Sequence, residues 1–138
     1  MSEVLQPAGW PRPKGYANGV VTRGRQIFLA GQIGWDEQGR FPHADLAGQV
    51  RQVLRNIVTL LAEAGAGPEH LVRLTWFITS RDEYHAQLAE IGVAYRQVLG
   101  KNFPPMSVVQ VVALVEPLAK VEIEATAVIP DSTRDTAD

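Results

Sequence analysis

The chain of 138 residues has the commonest length of a single domain and is long enough to bury an ordinary core. Hydrophobic residues make up 46% and charged residues 20%, and a net charge of −2 leaves no basic surplus for a phosphate backbone. The chain has no cysteine, which excludes disulfides, thiolate nucleophiles and cysteine-ligated metals. Neither a signal pattern nor a bilayer-length apolar run occurs, so we expect a cytoplasmic protein without nucleic-acid or membrane partners.

The N-terminal third begins with an irregular arm. Residues 1–15 contain several prolines and show no periodicity, which is typical of an ordered loop. Residues 20–22 and 26–30 are rich in β-formers and flank Gly24, so they predict a hairpin. Residues 31–40 are punctuated by glycine and predict a loop.

An amphipathic helix of about 20 residues is predicted after Asp45, which is a suitable N-cap. Glycine and proline in residues 65–68 predict its end. The spacings of three and four that define its buried face join Leu46, Val50, Leu54, Ile57, Leu61 and Ala64.

The second half predicts one strand, one helix and two further strands. Residues 71–79 are β-branched and aromatic, and Ser80 and Glu83 predict a capping box for a helix that ends at Gly100. Its apolar stripe consists of Tyr84, Leu88, Ile91, Tyr95 and Val98. Residues 106–114 and 120–129 predict the last strands, and we expect residues 131–138 to be a disordered tail.

The predicted order is therefore β-β-α-β-α-β-β, an α+β fold in a single domain of residues 1–130. Two helices with one apolar face each must cover one face of a single mixed sheet. The opposite sheet face is expected to expose Val108, Val112 and Leu114, which are too apolar for water, and this predicts an oligomer.

The common catalytic motifs are missing. His43, His70 and His85 are isolated and lack the spacing of a metal site, so we predict no metal. The chain has no G-x-S-x-G elbow, and the glycines at 65 and 67 follow a helix and end it.

The last strand places two carboxylates on one face. Alternation puts Lys120, Glu122, Glu124 and Thr126 opposite an apolar set, with the carboxylates roughly 7 Å apart. One interpretation is a solvated face on which Lys120 balances the charge. The other is a catalytic acid/base carboxylate. The spacing leaves both open.

Several short segments together resemble the Rid family, the reactive intermediate deaminases also called YjgF-type proteins. The resemblance covers about residues 15–129. It rests on Gly15-Tyr16, on Phe28-Leu29-Ala30-Gly31-Gln32-Ile33, on Gln49 and Asn56, on Pro104-Pro105-Met106-Ser107, and on Val121-Glu122-Ile123-Glu124-Ala125.

The resemblance implies a chorismate-mutase-like fold and a homotrimer with a central barrel and three clefts between subunits. It implies cofactor-free hydrolysis of enamines and imines to keto compounds and ammonia. Glu122 would be the acid/base carboxylate and Glu124 its structural neighbour. The substrate-binding residues would be Tyr16, Ala30, Gly31, Gln32, Met106 and Ser107.

Two positions depart from the family pattern. Typical members have an arginine at the position of Met106, and that arginine grips the substrate carboxylate. Gly92 stands where many members have asparagine. A thioether cannot replace a guanidinium. Either the protein has lost activity, or its cleft suits a longer or more apolar substrate of the aminomuconate type, with Trp10 and Trp35 as possible walls.

We therefore predict an enamine/imine deaminase with altered substrate choice. The alternative is a non-catalytic trimer that binds a small metabolite in the same cleft. Ribonuclease action is disfavoured, because the sequence shows no basic groove.

Overall fold

The structure, a computed structural model, describes residues 3–131. Its four-stranded main sheet has three helices on one face, and a separate two-stranded sheet lies beside it. The elements are β1 (Glu3–Val4), β2 (Val20–Val21), β3 (Gly24–Ile33), α1 (Leu46–Glu63), β4 (Leu71–Ile78), α2 (Arg81–Ala86), α3 (Leu88–Leu99), β5 (Met106–Gln110) and β6 (Val121–Pro130). A short 3₁₀ turn, Pro68–His70, precedes β4.

The main sheet is mixed, as predicted. Its strand order is β3-β6-β4-β5, and only β4 and β5 run parallel. The core between sheet and helices contains most of the apolar residues of α1 and the inward side chains of β4 and β6. The predicted α+β architecture with helices on one face is therefore confirmed.

Helix α1 begins where its cap was predicted. The Asp45 carboxylate accepts a hydrogen bond from the Gly48 amide at 3.0 Å, and the helix ends at Glu63, just before Gly65. Its apolar stripe packs on the sheet and on α3. This helix was predictable because cap, periodicity and stop are all local signals.

The second predicted helix is two helices. The chain breaks at Gln87, between α2 and α3. The Gln87 side-chain oxygen accepts a hydrogen bond from the amide of Ala47 at 2.9 Å, in the first turn of α1. The break thus satisfies a backbone donor that α1 cannot satisfy internally.

The capping box at the start of α2 is only half formed. Ser80 Oγ accepts a hydrogen bond from the Glu83 amide at 3.0 Å. The Glu83 carboxylate instead pairs with Lys120 Nζ at 2.6 Å. Because Lys120 pairs with Glu83, it does not balance the charge of Glu122 and Glu124. The interpretation of the strand face in which Lys120 balances these carboxylates is therefore wrong.

The predicted hairpin around Gly24 is wrong. Strand β2 pairs with β1, and β3 pairs with β6 along a ladder from Gly24↔Pro130 to Ile33↔Glu122. The two runs have the composition of strands, but the long strand β6 offers β3 a better partner than the two-residue β2. Residues close in sequence could not reveal this distant pairing.

The outer sheet face, opposite the helices, carries different apolar residues from those predicted. Strand β5 ends at Gln110 because β4, the strand with which it pairs within residues 3–131, ends at Ile78, so Val112 and Leu114 belong to the following loop. Val108 pairs with the buried Trp76 and therefore faces the helices. The outer face instead exposes Phe28, which is 72% accessible, and Val109.

Strand β6 shows the predicted alternation. Its buried residues are Val121, Ile123, Ala125 and Ala127, whereas Glu122, Glu124 and Thr126 lie on the outer face. Asp131, the last described residue, pairs with Arg23. The rest of the predicted tail, residues 132–138, lies outside the described residues.

Candidate functional site

The predicted site residues form two separate groups. The carboxylate half-site consists of Ala30, Gly31, Gln32 and Glu122, where β3 and β6 pair. The arm half-site consists of Tyr16, Gly92 and Met106, which line one cavity at the β5 edge.

In the carboxylate half-site, Glu122 lies directly against Gly31. A Cβ atom at position 31 would come within 2.8 Å of Glu122 Cγ and Cδ, so a side chain there would displace the carboxylate from this position. The register of β3 shifts between Leu29 and Gln32. This irregularity, of the kind a β-bulge produces, changes the direction of the strand at Gly31. Glu122 is half-buried and takes part in neither of the two ion pairs found within residues 3–131.

Two amide side chains of α1 hold the segments around this half-site. The Gln49 side chain is 1% exposed, donates to the carbonyls of His43 and Leu118, and accepts from the Lys120 amide at 2.8 Å. Asn56 donates to the carbonyls of Ile33 and Trp35. Gln49 thereby fixes the start of β6, and Asn56 fixes the end of β3.

In the arm half-site, the N-terminal arm is bound to the start of β5. Ala17 forms a bridge with Pro105, and its amide donates to the Pro104 carbonyl at 3.3 Å. This contact holds Tyr16 beside Met106. Met106 pairs with the fully buried Leu74 and packs against the core, so its side chain faces the helices.

A cavity of about 470 Å³ lies between the arm, α3 and β5. Three stacked rings contribute to its wall, with centroid distances of 6.4 Å for Trp76–Tyr95 and 5.4 Å for Tyr95–Phe103. Burial raises the pKa of Tyr84 and of Tyr95, so both phenols are neutral in the physiological range. Trp76 Nε1 is buried and donates to no described acceptor.

The sequence had assigned this wall to the hydrophobic core. Tyr84 lies on α2, whereas Leu88, Ile91 and Tyr95 lie on α3; all four line the cavity, and Leu88 is 52% exposed. Trp10 and Trp35, the predicted walls, do not line it. Trp35 contacts Phe41, and Trp10 is exposed on the arm.

Ser107 does not line this cavity, but it lines a smaller hollow of about 300 Å³ together with Tyr16 and Met106. It pairs with Thr75, which also pairs with Glu124, so these three residues form a polar row on the outer sheet face. Ala30 is exposed on β3, and its carbonyl accepts a hydrogen bond from Gln32 Nε2 at 3.0 Å. A second hollow of about 700 Å³, beside Phe41, His43 and Lys120, contains none of the predicted site residues.

The two half-sites do not meet within one chain. Met106 pairs with Leu74, whereas Glu122 pairs with Phe77, three residues further along β4. Strand geometry then separates their backbones by about 10 Å across the sheet and about 10 Å along it. The side chains also point to opposite faces. A single site containing both requires a second copy of the chain.

Within the described residues, no cluster of three or more histidine, cysteine or carboxylate side chains is arranged to hold a metal ion. None of the described helices is both long enough and apolar enough to cross a membrane.

Residues 11–129 match the family described as Endoribonuclease L-PSP. The chain belongs to this family. Among its relatives are a RutC family protein of Pyrococcus horikoshii, 30% identical over 92% of this chain and 98% of its own length, and a human protein named 2-iminobutanoate/2-iminopropanoate deaminase, 29% identical over 91% of this chain and 88% of its own.

A Rid-family protein of Yersinia pestis with a solved structure is 32% identical, with a TM-score of 0.80 over 93% of this chain and 98% of the other. The Rid-family resemblance and the α+β fold it implies are therefore confirmed. The Endoribonuclease L-PSP family thus includes relatives named as imine deaminases, which is consistent with a hydrolase.

Proposed function

We propose that this protein is an enamine/imine deaminase that hydrolyses a small reactive enamine or imine to a keto compound and ammonia. The observation that carries the proposal is the fit of the half-buried Glu122 carboxylate against Gly31. The names of the human and bovine relatives support the reaction class.

In the proposed reaction, the Glu122 carboxylate takes a proton from water as the water oxygen bonds to the imine carbon. The C=N double bond becomes a single bond, and the nitrogen receives a proton from Glu122. In the resulting carbinolamine, Glu122 passes the hydroxyl proton to the nitrogen, the C–N bond breaks, ammonia leaves, and the C–O bond becomes a carbonyl. Such acid/base assistance typically contributes ~10²- to 10⁴-fold in rate.

The active cleft in this proposal lies between copies of the chain in a homotrimer. The carboxylate half-site of one copy faces the arm half-site of the next. Two observations support this arrangement: the half-sites lie on opposite faces of one sheet, and the outer face exposes Phe28 and Val109.

Substrate choice in the proposed enzyme differs from that of family members with an arginine at position 106. Met106 offers a polarizable apolar surface and no donor for a carboxylate. The aromatic wall beside it suits a more apolar substrate than the imine of a short keto acid.

The test is Glu122→Gln, assayed for keto-acid release from a panel of imines that an amino-acid oxidase generates in situ. The amide retains the shape of the carboxylate but cannot move a proton, so the rate should fall at least ~100-fold. Glu124→Gln is the matched control on the same strand face and should retain most of the activity. If Glu122→Gln hydrolyses any substrate at the parental rate, Glu122 is only part of a solvated face.

The alternative function is a non-catalytic trimer that binds a metabolite in the same cleft, and Met106 is the observation that favours it. Such a protein would bind keto acids without accelerating imine hydrolysis at any pH. Comparing imine decay with and without the protein distinguishes the two functions.

A further inference from the structure

The cavity of the arm half-site is basic, although the whole chain carries a net charge of −2. Two of its thirteen lining residues, Lys14 and Arg96, are cations, and none of the thirteen is acidic. A carboxylate that enters this cavity therefore meets positive charge without a competing protein anion.

Arg96 occupies the space that a side chain at position 92 would otherwise fill. The two residues are one helical turn apart on α3. A Cβ atom at Gly92 would lie 3.5 Å from Arg96 Nη1 and 3.9 Å from Nη2, so the guanidinium lies over the backbone of Gly92. Arg96 takes part in neither ion pair found in the described part of the chain. Its donors thus remain available to a ligand.

The remainder of the cavity is suited to an apolar body. Its lining includes the stacked rings of Trp76, Tyr95 and Phe103 and the aliphatic residues Leu88, Ile91, Met106 and Val108. A volume of about 470 Å³ falls in the range of pockets that enclose whole organic ligands. The imine of a three-carbon keto acid would leave most of this surface uncovered.

We propose that Arg96 binds the carboxylate of the substrate in place of an arginine at position 106, and that the substrate class is imino or enamine acids with a large apolar or aromatic side chain. This inference rests on the proposed deaminase function and assigns its substrate class. The planar guanidinium can form paired, charge-assisted hydrogen bonds with a carboxylate, while the ring stack holds the side chain.

The first experiment measures binding and needs no turnover. Isothermal calorimetry on the full-length protein compares phenylpyruvate, pyruvate and benzyl methyl ketone, which lacks the carboxylate. The parent should bind phenylpyruvate at least ~10-fold more tightly than either of the others. Arg96→Gln should weaken phenylpyruvate binding ~10- to 100-fold and leave the ketone unaffected. Arg96→Lys should give an intermediate loss.

The matched control is Arg55→Gln, on the exposed surface of α1 and outside the cavity lining, which should bind like the parent. With the imine of phenylalanine as substrate, Arg96→Gln should raise KM and change kcat by less than ~3-fold, because the contact holds a group remote from the reacting carbon.

The outcomes separate this inference from the function on which it rests. If Arg96→Gln binds phenylpyruvate as tightly as the parent, or the parent does not bind it, the assignment of Arg96 is wrong. If the parent prefers pyruvate, the apolar substrate class is wrong. If the binding pattern holds but no imine is hydrolysed, the Arg96 contact stands and the deaminase proposal fails.

Discussion

At the scale of single residues, Met106 and Glu122 have different relations to the sheet. Met106 faces the helices and packs against the core, whereas Glu122 faces outward over Gly31. A substitution at position 106 therefore changes the arm half-site and its cavity. The new side chain does not contact the Glu122 carboxylate of the same chain.

Met106→Arg is expected to confer activity on short 2-imino acids such as the imine of pyruvate. A guanidinium at this position can hold the carboxylate in a bidentate contact and so fix the imine carbon. We expect kcat/KM for this substrate to rise ~10- to 100-fold, measured in a coupled assay with an amino-acid oxidase.

Met106→Leu is the control, because it keeps the apolar volume without adding a donor. It should leave the activity on short imines as low as in the parent. A parent that already hydrolyses short imines rapidly would mean that the contact proposed for Arg96 is sufficient without a large side chain on the substrate, and the interpretation of Met106 would be wrong.

The sequence predicted some site residues and missed others for a physical reason. Gly31 and Glu122 belong to motifs of characteristic order, and the structure brings them into contact. The ring wall of Trp76, Tyr95 and Phe103 was missed, because aromatic residues at helix or strand spacing are typical of a core. Whether such a ring lines a cavity depends on the arm, whose position no local pattern encodes.

At the scale of elements, the buried amide of Gln49 joins three segments. It donates to the carbonyls of His43 and Leu118, which lie in two loops, and accepts from the amide of Lys120, the residue before β6. These loops have no regular backbone pairing of their own there. Gln49 thus holds these loops, and at the start of the strand that carries Glu122 it acts together with the Thr79 amide, which donates to the Lys120 carbonyl at 3.1 Å.

Gln49→Met should therefore lower the free energy of unfolding by about 2–4 kcal/mol, because methionine fills the volume but leaves backbone groups without partners. Urea unfolding measures the change. Gln97→Met is the control, since Gln97 is exposed and its contact with Arg51 should contribute less than about 1 kcal/mol. If the free energy of unfolding falls by less than about 0.5 kcal/mol, which is a tenth or less of typical protein stability, water replaces the hydrogen bonds of the amide.

A helix or strand was predicted correctly where the residues that define it lie close together in the sequence. Helix α1 carries its cap, its apolar face and its stop within about 20 residues, and these local signals define it. The pairing of β3 with β6 joins residues about a hundred positions apart, and the predicted hairpin was wrong for that reason. The end of β5 was likewise set by β4, the strand with which it pairs.

At the scale of the whole molecule, the outer sheet face and the divided site both favour the proposed homotrimer. Phe28 and Val109 are exposed on the face that also carries Glu122. In the proposed closed ring of three chains, this face would be removed from water and three equivalent clefts would be completed. Light scattering coupled to size exclusion should therefore give a mass of about 45 kDa, for chains of 15.1 kDa.

The sharper test of this arrangement is complementation between two inactive variants. Glu122→Gln disables the carboxylate half-site, and Gly92→Leu disables the arm half-site, because its side chain takes the space over Gly92 that the Arg96 guanidinium occupies. Each homotrimer alone should be inactive. When the two chains are co-expressed in equal amounts, about a quarter of the clefts combine two intact halves, because each cleft takes one half from each neighbour.

Activity in the mixed trimers should therefore recover to about a quarter of the parental rate, with kcat per intact cleft and KM unchanged. The double variant Glu122→Gln/Gly92→Leu, co-expressed with the parent, is the matched control. This mixture contains the same two substitutions, and about a quarter of its clefts should also combine two intact halves. If the two single variants remain inactive together while this control is active, both half-sites serve one cleft within the same chain, and the intersubunit site is wrong.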